Sequence, residues 1–320
     1  MTRTLNPAAM RVAIIGGGTM GADIALVLAR ARCRTTIVEL SAARHDPLDR
    51  HLTQGLAILA MPERRHLLDI VASLEQLDWP SIDLVIECIP ERLEAKQSLF
   101  AQLAAHARED ALLCSNSSSY PISRIAADLP SSHRMLGLHY FMPAHLVPLV
   151  EVVLGAASDP GLGESLCGFV RGCGMVPVLV RKDLPGFLAN RLQHALAREA
   201  FSMIDAGIAS PEDVDAAVRF GFGFRYLAAG PILQRDHAGL DVHCAAATAM
   251  YPSLANDTVP SSALATRVAQ GRLGMKTGEG FYRWTPETIA AERHRYDELL
   301  RAGLRLLADE LPKIDNAEDR

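Results

Sequence analysis

Two ionisable residues stand where the chain is otherwise apolar. His139 lies in Gly137-Leu138-His139-Tyr140-Phe141. Glu151 lies twelve residues on, in Leu149-Val150-Glu151-Val152-Val153. Burying either alone is costly, so the two are expected to pair. Such a pair is a general base, because the carboxylate fixes the imidazole tautomer and leaves the other ring nitrogen to take a proton. The blander alternatives are a satisfied core histidine and an edge-strand acid.

A base of this kind suits proton removal beside a redox cofactor, and the N-terminal end carries a loop for one. Gly16, Gly18 and Gly21 satisfy G-x-G-x-x-G after an apolar stretch and at the opening of a helical one. With Thr19 and Met20 they would cradle a pyrophosphate at a helix N-terminus. Glu39 ends the next β-branched stretch, eighteen residues after Gly21. A carboxylate there takes ribose hydroxyls and repels a 2′-phosphate, so NAD is the expected cofactor, with Arg34 and Arg44 as nearby cations that weigh the other way. A glycine-rich turn of another α/β fold and a solvated strand-end acid are the alternatives.

The elements that must position these residues alternate. Apolar runs at 11–15, 35–38, 83–89, 111–114, 135–141, 146–153 and 176–180 read as strands, with helical spacing over 19–31. That rhythm predicts a parallel sheet covered on both faces. After Arg181-Lys182-Asp183-Leu184-Pro185-Gly186 the long β-branched runs stop, 187–206 reads as one helix, and Ser210-Pro211-Glu212-Asp213 and Thr285-Pro286-Glu287 are helix starts. The expected architecture is a Rossmann-type, doubly wound α/β domain over residues 1–182, then a smaller all-α domain over residues 183–320. The tail after Pro312 is polar and expected to fray.

Composition sets the outer bounds. The chain has 320 residues, 49% apolar and 22% charged, and a net charge of −5. An acidic balance argues against a nucleic-acid partner. No apolar stretch approaches the ~20 residues of a membrane span, and residues 1–10 have no secretory signal pattern, so a soluble cytoplasmic protein is expected. None of the six cysteines forms C-x-x-C, and they read mostly as small buried hydrophobes. Asp236, His237, Asp241, His243 and Cys244 match no zinc spacing, so no metal is expected.

Taken in order, these motifs resemble the L-3-hydroxyacyl-CoA dehydrogenase family. The likeness lies in the glycine loop, Asp83-Leu84-Val85-Ile86-Glu87, Glu91 with Lys96, Ser115-Asn116-Ser117-Ser118-Ser119, Gly137-Leu138-His139, Leu149-Val150-Glu151-Val152, and 182–191. Downstream it continues in Gly230-Pro231, 238–241 and Gly274-Met275-Lys276-Thr277-Gly278-Glu279-Gly280-Phe281-Tyr282. The resemblance implies NAD-dependent oxidation of a 3-hydroxyacyl-CoA, such as 3-hydroxybutyryl-CoA, as in fatty acid metabolism. It implies that His139 takes the hydroxyl proton, that Glu151 holds the imidazole, that Asn190 and Ser118 contact the reacting oxygen or its neighbours, and that Glu91 and Lys96 lie near the cofactor. It implies a homodimer formed through the helical domain. Blander roles stay open: Ser118 as a helix cap, Asn190 on a solvated helix face, Glu91 and Lys96 as helix-start charges.

Three departures bear on the substrate. Met142 stands where the family usually has an asparagine, in His139-Tyr140-Phe141-Met142-Pro143. The arm between Glu39 and Glu91 is short and holds Arg44, Arg50, Arg64 and Arg65 but no lysine, which weakens a grip on CoA phosphates. Arg235, in Gln234-Arg235-Asp236-His237, replaces apolar residues and would clamp a substrate carboxylate if it faced the cleft. The alternative substrates are therefore small free 3-hydroxy acids or hydroxymethyl compounds. An alternative of another class is a catalytically silent NAD-binding protein.

Overall fold

The computed structural model describes residues 4–314. The chain divides into two compact units, one running to Asn190 and resumed from Ala308, the other Arg191–Leu307.

The first unit is one sheet with flanking helices. In chain order it holds β1 (Arg11–Ile15), α1 (Thr19–Arg30), β2 (Arg34–Val38), α2 (His45–Ile58), β3 (Leu68–Val71), β4 (Leu84–Glu87), α3 (Leu93–His106), β5 (Leu112–Ser115), α4 (Ile122–Ile125), β6 (Met135–Tyr140), β7 (Leu149–Leu154), α5 (Pro160–Gly172) and β8 (Val176–Val180). The strands lie in the order β3-β2-β1-β4-β5-β6-β7-β8. Order reverses beside β1, where a doubly wound sheet opens its crevice. Residues along β1 alternate between two cores: Val12 and Ile14 pack on one face, Ala13 and Ile15 on the other. That is the period of two of a strand buried on both sides.

Two features differ from the sequence expectation. β3, which holds Asp69 among its four residues, has no long apolar run to announce it. The sheet is also not parallel throughout, because β7 returns antiparallel to β6. Only residues 141–148 join the two strands. A parallel return needs a crossover of a dozen residues or more, so this short link forces a reversal. The reversal sets His139 directly opposite Glu151.

The second unit is helical. α6 (Ala189–Asp205) runs into it from the first, followed by α7 (Pro211–Ala216), α8 (Gly223–Arg225), α9 (Pro231–Ala238), α10 (Leu240–Met250), α11 (Ser262–Ala269) and α12 (Pro286–Leu306). Both expected helix starts form capping boxes: Ser210 with Asp213 opens α7, and Thr285 with Thr288 opens α12. Phe281 stacks on Phe201 with ring centroids 5.5 Å apart and lies under the Arg267 guanidinium. Among the described residues of this unit only Ala229 and Ala263 are buried hydrophobics, while Phe220, Phe224, Ile232, Leu240 and Tyr251 are exposed.

Four cysteines are buried, Cys88 is partly so, and Cys244 is exposed, contrary to its apolar surroundings in sequence. No helix among the described residues is long and apolar enough to cross a membrane. The expected fraying of the tail falls mainly on residues 315–320, which lie outside the described residues.

Candidate active site

The glycine loop is shaped for a dinucleotide. Gly16 has φ +110°, and a Cβ there would meet the Cys88 carbonyl oxygen at 2.8 Å. A Cβ on Gly21 would lie 2.0 Å from the Gly16 carbonyl oxygen, so α1 packs against the loop only because that atom is missing. Gly18 opens α1 without a side-chain cap. The first amides of the helix, from Thr19 and Met20 onward, are thereby left for an anion, which the helix dipole also favours. Glu39 follows β2, only 8% exposed. Its Oε2 lies 3.0 Å from where a Gly17 Cβ would stand, so the carboxylate reaches the loop itself. A bare cradle, an uncapped helix and a strand-end acid are the donor and acceptor set NAD requires.

Behind the loop lies a buried ionic network. Glu87, at the end of β4, is fully buried, and Lys96 on α3 is 1% exposed. Lys96 Nζ donates to Glu87 Oε1 at 2.6 Å and lies 3.2 Å from Glu91 Oε2. Ser115 Oγ donates to the other Glu87 oxygen at 2.6 Å. Glu91 Oε1 accepts from Ser117 Oγ and from the Ser119 amide. Burial acts to raise the Glu91 pKa, but Ser117, Lys96 and the Ser119 amide outweigh it and hold the carboxyl below its usual range. Lys96, in the first turn of α3, is thus an ion-paired cation and not a free one. It ties the loop after β4 to the serine loop after β5. Glu87, Ser115 and Ser117 were given no role from sequence. The signal was there, since an acid inside a four-residue buried strand demands a cation, and Lys96 follows nine residues on.

The third constellation is the expected pair. His139 Nδ1 lies 2.8 Å from Glu151 Oε2, with the imidazole 4% exposed and the glutamate fully buried. A carboxylate only accepts, so Nδ1 carries the proton and Nε2 remains for the substrate side. The second Glu151 oxygen accepts from the Leu188 and Ala189 amides at 3.0 and 2.8 Å. Those amides open α6 and are aimed by two successive left-handed residues, Gly186 at φ +75° and Phe187 at φ +49°. Left-handed backbone at a bulky aromatic is strained, and such strain persists where the surroundings fix it. Burial acts to raise the Glu151 pKa, but the His139 and backbone hydrogen bonds outweigh it and hold the carboxyl below its usual range. The imidazole packs between Phe141 and Phe187, with centroids 4.5 and 5.6 Å away. Neither phenylalanine was singled out from sequence.

The remaining candidates fall as follows. Ser118 caps no helix, since α4 begins after Pro121. Asn190, in the first turn of α6, has Nδ2 3.5 Å from the Ser118 carbonyl oxygen, so the two lie side by side in the first unit. Asn116, unassigned from sequence, accepts the Tyr140 amide at 2.9 Å and locks the serine loop to the histidine strand. Met142 is 67% exposed. Arg235 lies exposed on α9, in the second unit. Arg34 stands at the far end of β2 from Glu39, whereas Arg44 reaches it, Nε to Oε2, at 3.6 Å. No group of three or more His, Cys, Asp or Glu among the described residues could hold a metal.

Comparison with known proteins matches both units. The NAD binding domain of 3-hydroxyacyl-CoA dehydrogenase matches residues 11–184, and the C-terminal domain of the same family matches residues 186–284. The chain is 31% identical to 5-formyl-3-hydroxy-2-methylpyridine 4-carboxylate 5-dehydrogenase of Mesorhizobium japonicum, over 89% of this chain and 94% of that protein. The crystal structure of an enzyme of that activity, described as an NAD+-dependent dismutase, has a TM-score of 0.87 at 29% identity and covers 92% of this chain and 98% of that one. The structure of 3-hydroxybutyryl-CoA dehydrogenase from Escherichia coli has a TM-score of 0.71 at 35% identity, covering 86% of this chain and 60% of that one. A cofactor cradle, a buried His–Glu pair and two family domains in sequence place this chain in the 3-hydroxyacyl-CoA dehydrogenase family.

Proposed function

We propose that this NAD-dependent dehydrogenase oxidises the hydroxyl of a small free substrate, a 3-hydroxy acid or a hydroxymethyl compound, rather than a CoA thioester. The observation that carries the choice is the employment of the arm's arginines. Arg64 donates to the Ala29 and Arg30 carbonyl oxygens that end α1. Arg65 holds Asp49 and the Leu68 carbonyl. Arg44 holds Gly17 and Glu39. Three of the four arm cations therefore already hold partners within the protein, and CoA phosphates draw on unpaired ones. The high structural likeness to an enzyme named for a free pyridine carboxylate supports the same reading.

Bound NAD supplies the hydride acceptor. His139 Nε2 takes the hydroxyl proton as the hydride leaves, which matches the base to the developing alkoxide. Glu151 steadies the imidazolium that results, and its own charge is held by the α6 amides. Ser118 and Asn190 are the polar pair beside the reacting oxygen. The glycine loop, Glu39, Glu91 and Lys96 form and support the cofactor side. A protein that binds NAD without turnover is the alternative of another class, and the complete dyad speaks against it.

The deciding experiment is NADH formation by purified protein with NAD and two substrate sets. Free 3-hydroxy acids and pyridine hydroxymethyl carboxylates are expected to turn over, and His139→Ala to abolish it. Efficient turnover of 3-hydroxybutyryl-CoA, with kcat/KM of about 10⁴ M⁻¹s⁻¹ or more, would return the assignment to the thioester.

We further propose that the second unit, taken with the segment from residue 183, carries substrate contacts and pairs with a second copy. Its large exposed apolar side chains, Phe220, Ile232 and Leu240 among them, need a cover.

A further inference from the structure

We infer that His145 is a positioning residue for the dehydrogenase reaction: it ties the 141–148 link to α1, and the link in turn keeps Phe141 against the His139 imidazole. Phe141 lies just past the end of β6, with its ring centroid 4.5 Å from that of His139. Two residues on, the Pro143 carbonyl oxygen accepts the Leu146 and Val147 amides, each at 3.0 Å, so 143–147 is one hydrogen-bonded turn. Ala144 and Leu146 are buried, and Ala144 joins the core that α1 shares. His145 stands between them. Its Nδ1 lies 3.3 Å from Asp23 Oδ2 on α1.

Two observations set this contact apart from a buried acid that merely finds a partner. Asp23 already has one, because its other oxygen lies 3.0 Å from His51 Nε2 on α2. Asp23 also lies one turn after Thr19, on the helix whose first amides are left for an anion. One buried carboxylate therefore joins the cofactor's helix to the link that packs on the base. The asparagine-held amide of Tyr140 fixes the link where it leaves β6, and His145 fixes it at the far side of Phe141. A base displaced by about 1 Å can lose 10²-fold in rate, so a second anchor on this link has a catalytic use.

The test sets two variants of the full chain against each other. His145→Ala and His51→Ala each take one partner from the same carboxylate, so a role confined to satisfying Asp23 would treat them alike. His145→Ala is expected to lower kcat by about 10- to 100-fold, while calorimetric NAD binding stays within about 3-fold of wild type. His51→Ala should keep kcat within about 3-fold. His145→Asn places an amide nitrogen where Nδ1 stood, and should restore kcat to within about 3-fold. Should His145→Ala melt far below wild type, His145→Leu, which keeps bulk without a donor, is read in its place. Equal kcat in the two alanine variants would overturn the proposal. These rates rest on the substrate reading above, so a second measurement needs no substrate. The proton NMR signal of His139 Nδ1–H, held by Glu151, is expected to shift in His145→Ala and to stay in place in His51→Ala. An unmoved signal in His145→Ala would overturn the role of His145, whereas silence of the wild type toward every free substrate would overturn only the substrate reading.

Discussion

Glu151 faces His139 across the β6–β7 ladder as its register partner, 2.8 Å away, and takes two helix amides on its other oxygen. The imidazole is thereby oriented by a group that is itself held on both sides. Glu151→Gln keeps the shape but offers an amide where a full charge should steady the imidazolium. It is expected to lower kcat by roughly 10²–10⁴-fold, as removal of a base or its orienter does elsewhere. NAD affinity should stay within a few-fold of wild type. Stopped-flow NADH formation beside equilibrium NAD binding checks both. A kcat within tenfold of wild type would remove Glu151 from the mechanism.

The pair was legible because two charges in apolar runs have few physical outcomes. The glycine loop was legible because its spacing is tied to a strand, a turn and a helix. What supports them was not. The α6 amides reach Glu151 only through left-handed Gly186 and Phe187, and no residue pattern announces a left-handed phenylalanine. The antiparallel return of β7 follows from the short 141–148 link, but the alternation of elements suggested a wholly parallel sheet. Lys96 was legible as a motif position. Its burial in an ionic network is tertiary information.

That network gives a second prediction. Lys96 sits fully buried between Glu87 and Glu91. Lys96→Met strands the buried Glu87 carboxylate and should cost about 3–5 kcal/mol of stability, as breaking one side of a buried ion pair does. Pairing Lys96→Met with Glu87→Gln removes the stranded charge and should recover a substantial part. Chemical denaturation of the three variants measures it. A single variant as stable as wild type would show that the pair carries no such burden.

The exposed apolar face of the helical unit makes a third. Light scattering at micromolar concentration should give twice the 34.6 kDa of one chain. Ile232→Asp with Leu240→Asp, both on exposed positions, should shift the mass toward one chain while leaving the first unit able to bind NAD. A wild-type mass of one chain would refute the second copy as the cover.

The last concerns pH. Asp23, buried on α1, has Oδ1 3.0 Å from His51 Nε2 on α2 and Oδ2 3.3 Å from His145 Nδ1 in the 141–148 link. Burial acts to raise its pKa, but the two histidines outweigh it and bring it to about 2, from an ordinary 3.8. A depressed carboxyl contributes stability above its unfolded value and loses it as pH falls toward the folded one. By linkage the shift is worth about 2 kcal/mol. The His51 pKa runs the other way: its hydrogen bond to Asp23 raises it, against burial. Its contribution is present below pH 6.5, fades as pH rises, and is reduced by the 45% exposure of the side chain. The two windows overlap between about pH 4 and 6.5. Asp23→Asn should therefore be most destabilising near pH 5.5, and the gap to wild type should narrow toward pH 3 and, more gently, toward pH 8. Thermal melts of both proteins at those three values measure it. Parallel curves would mean that Asp23 acts by shape and not by charge.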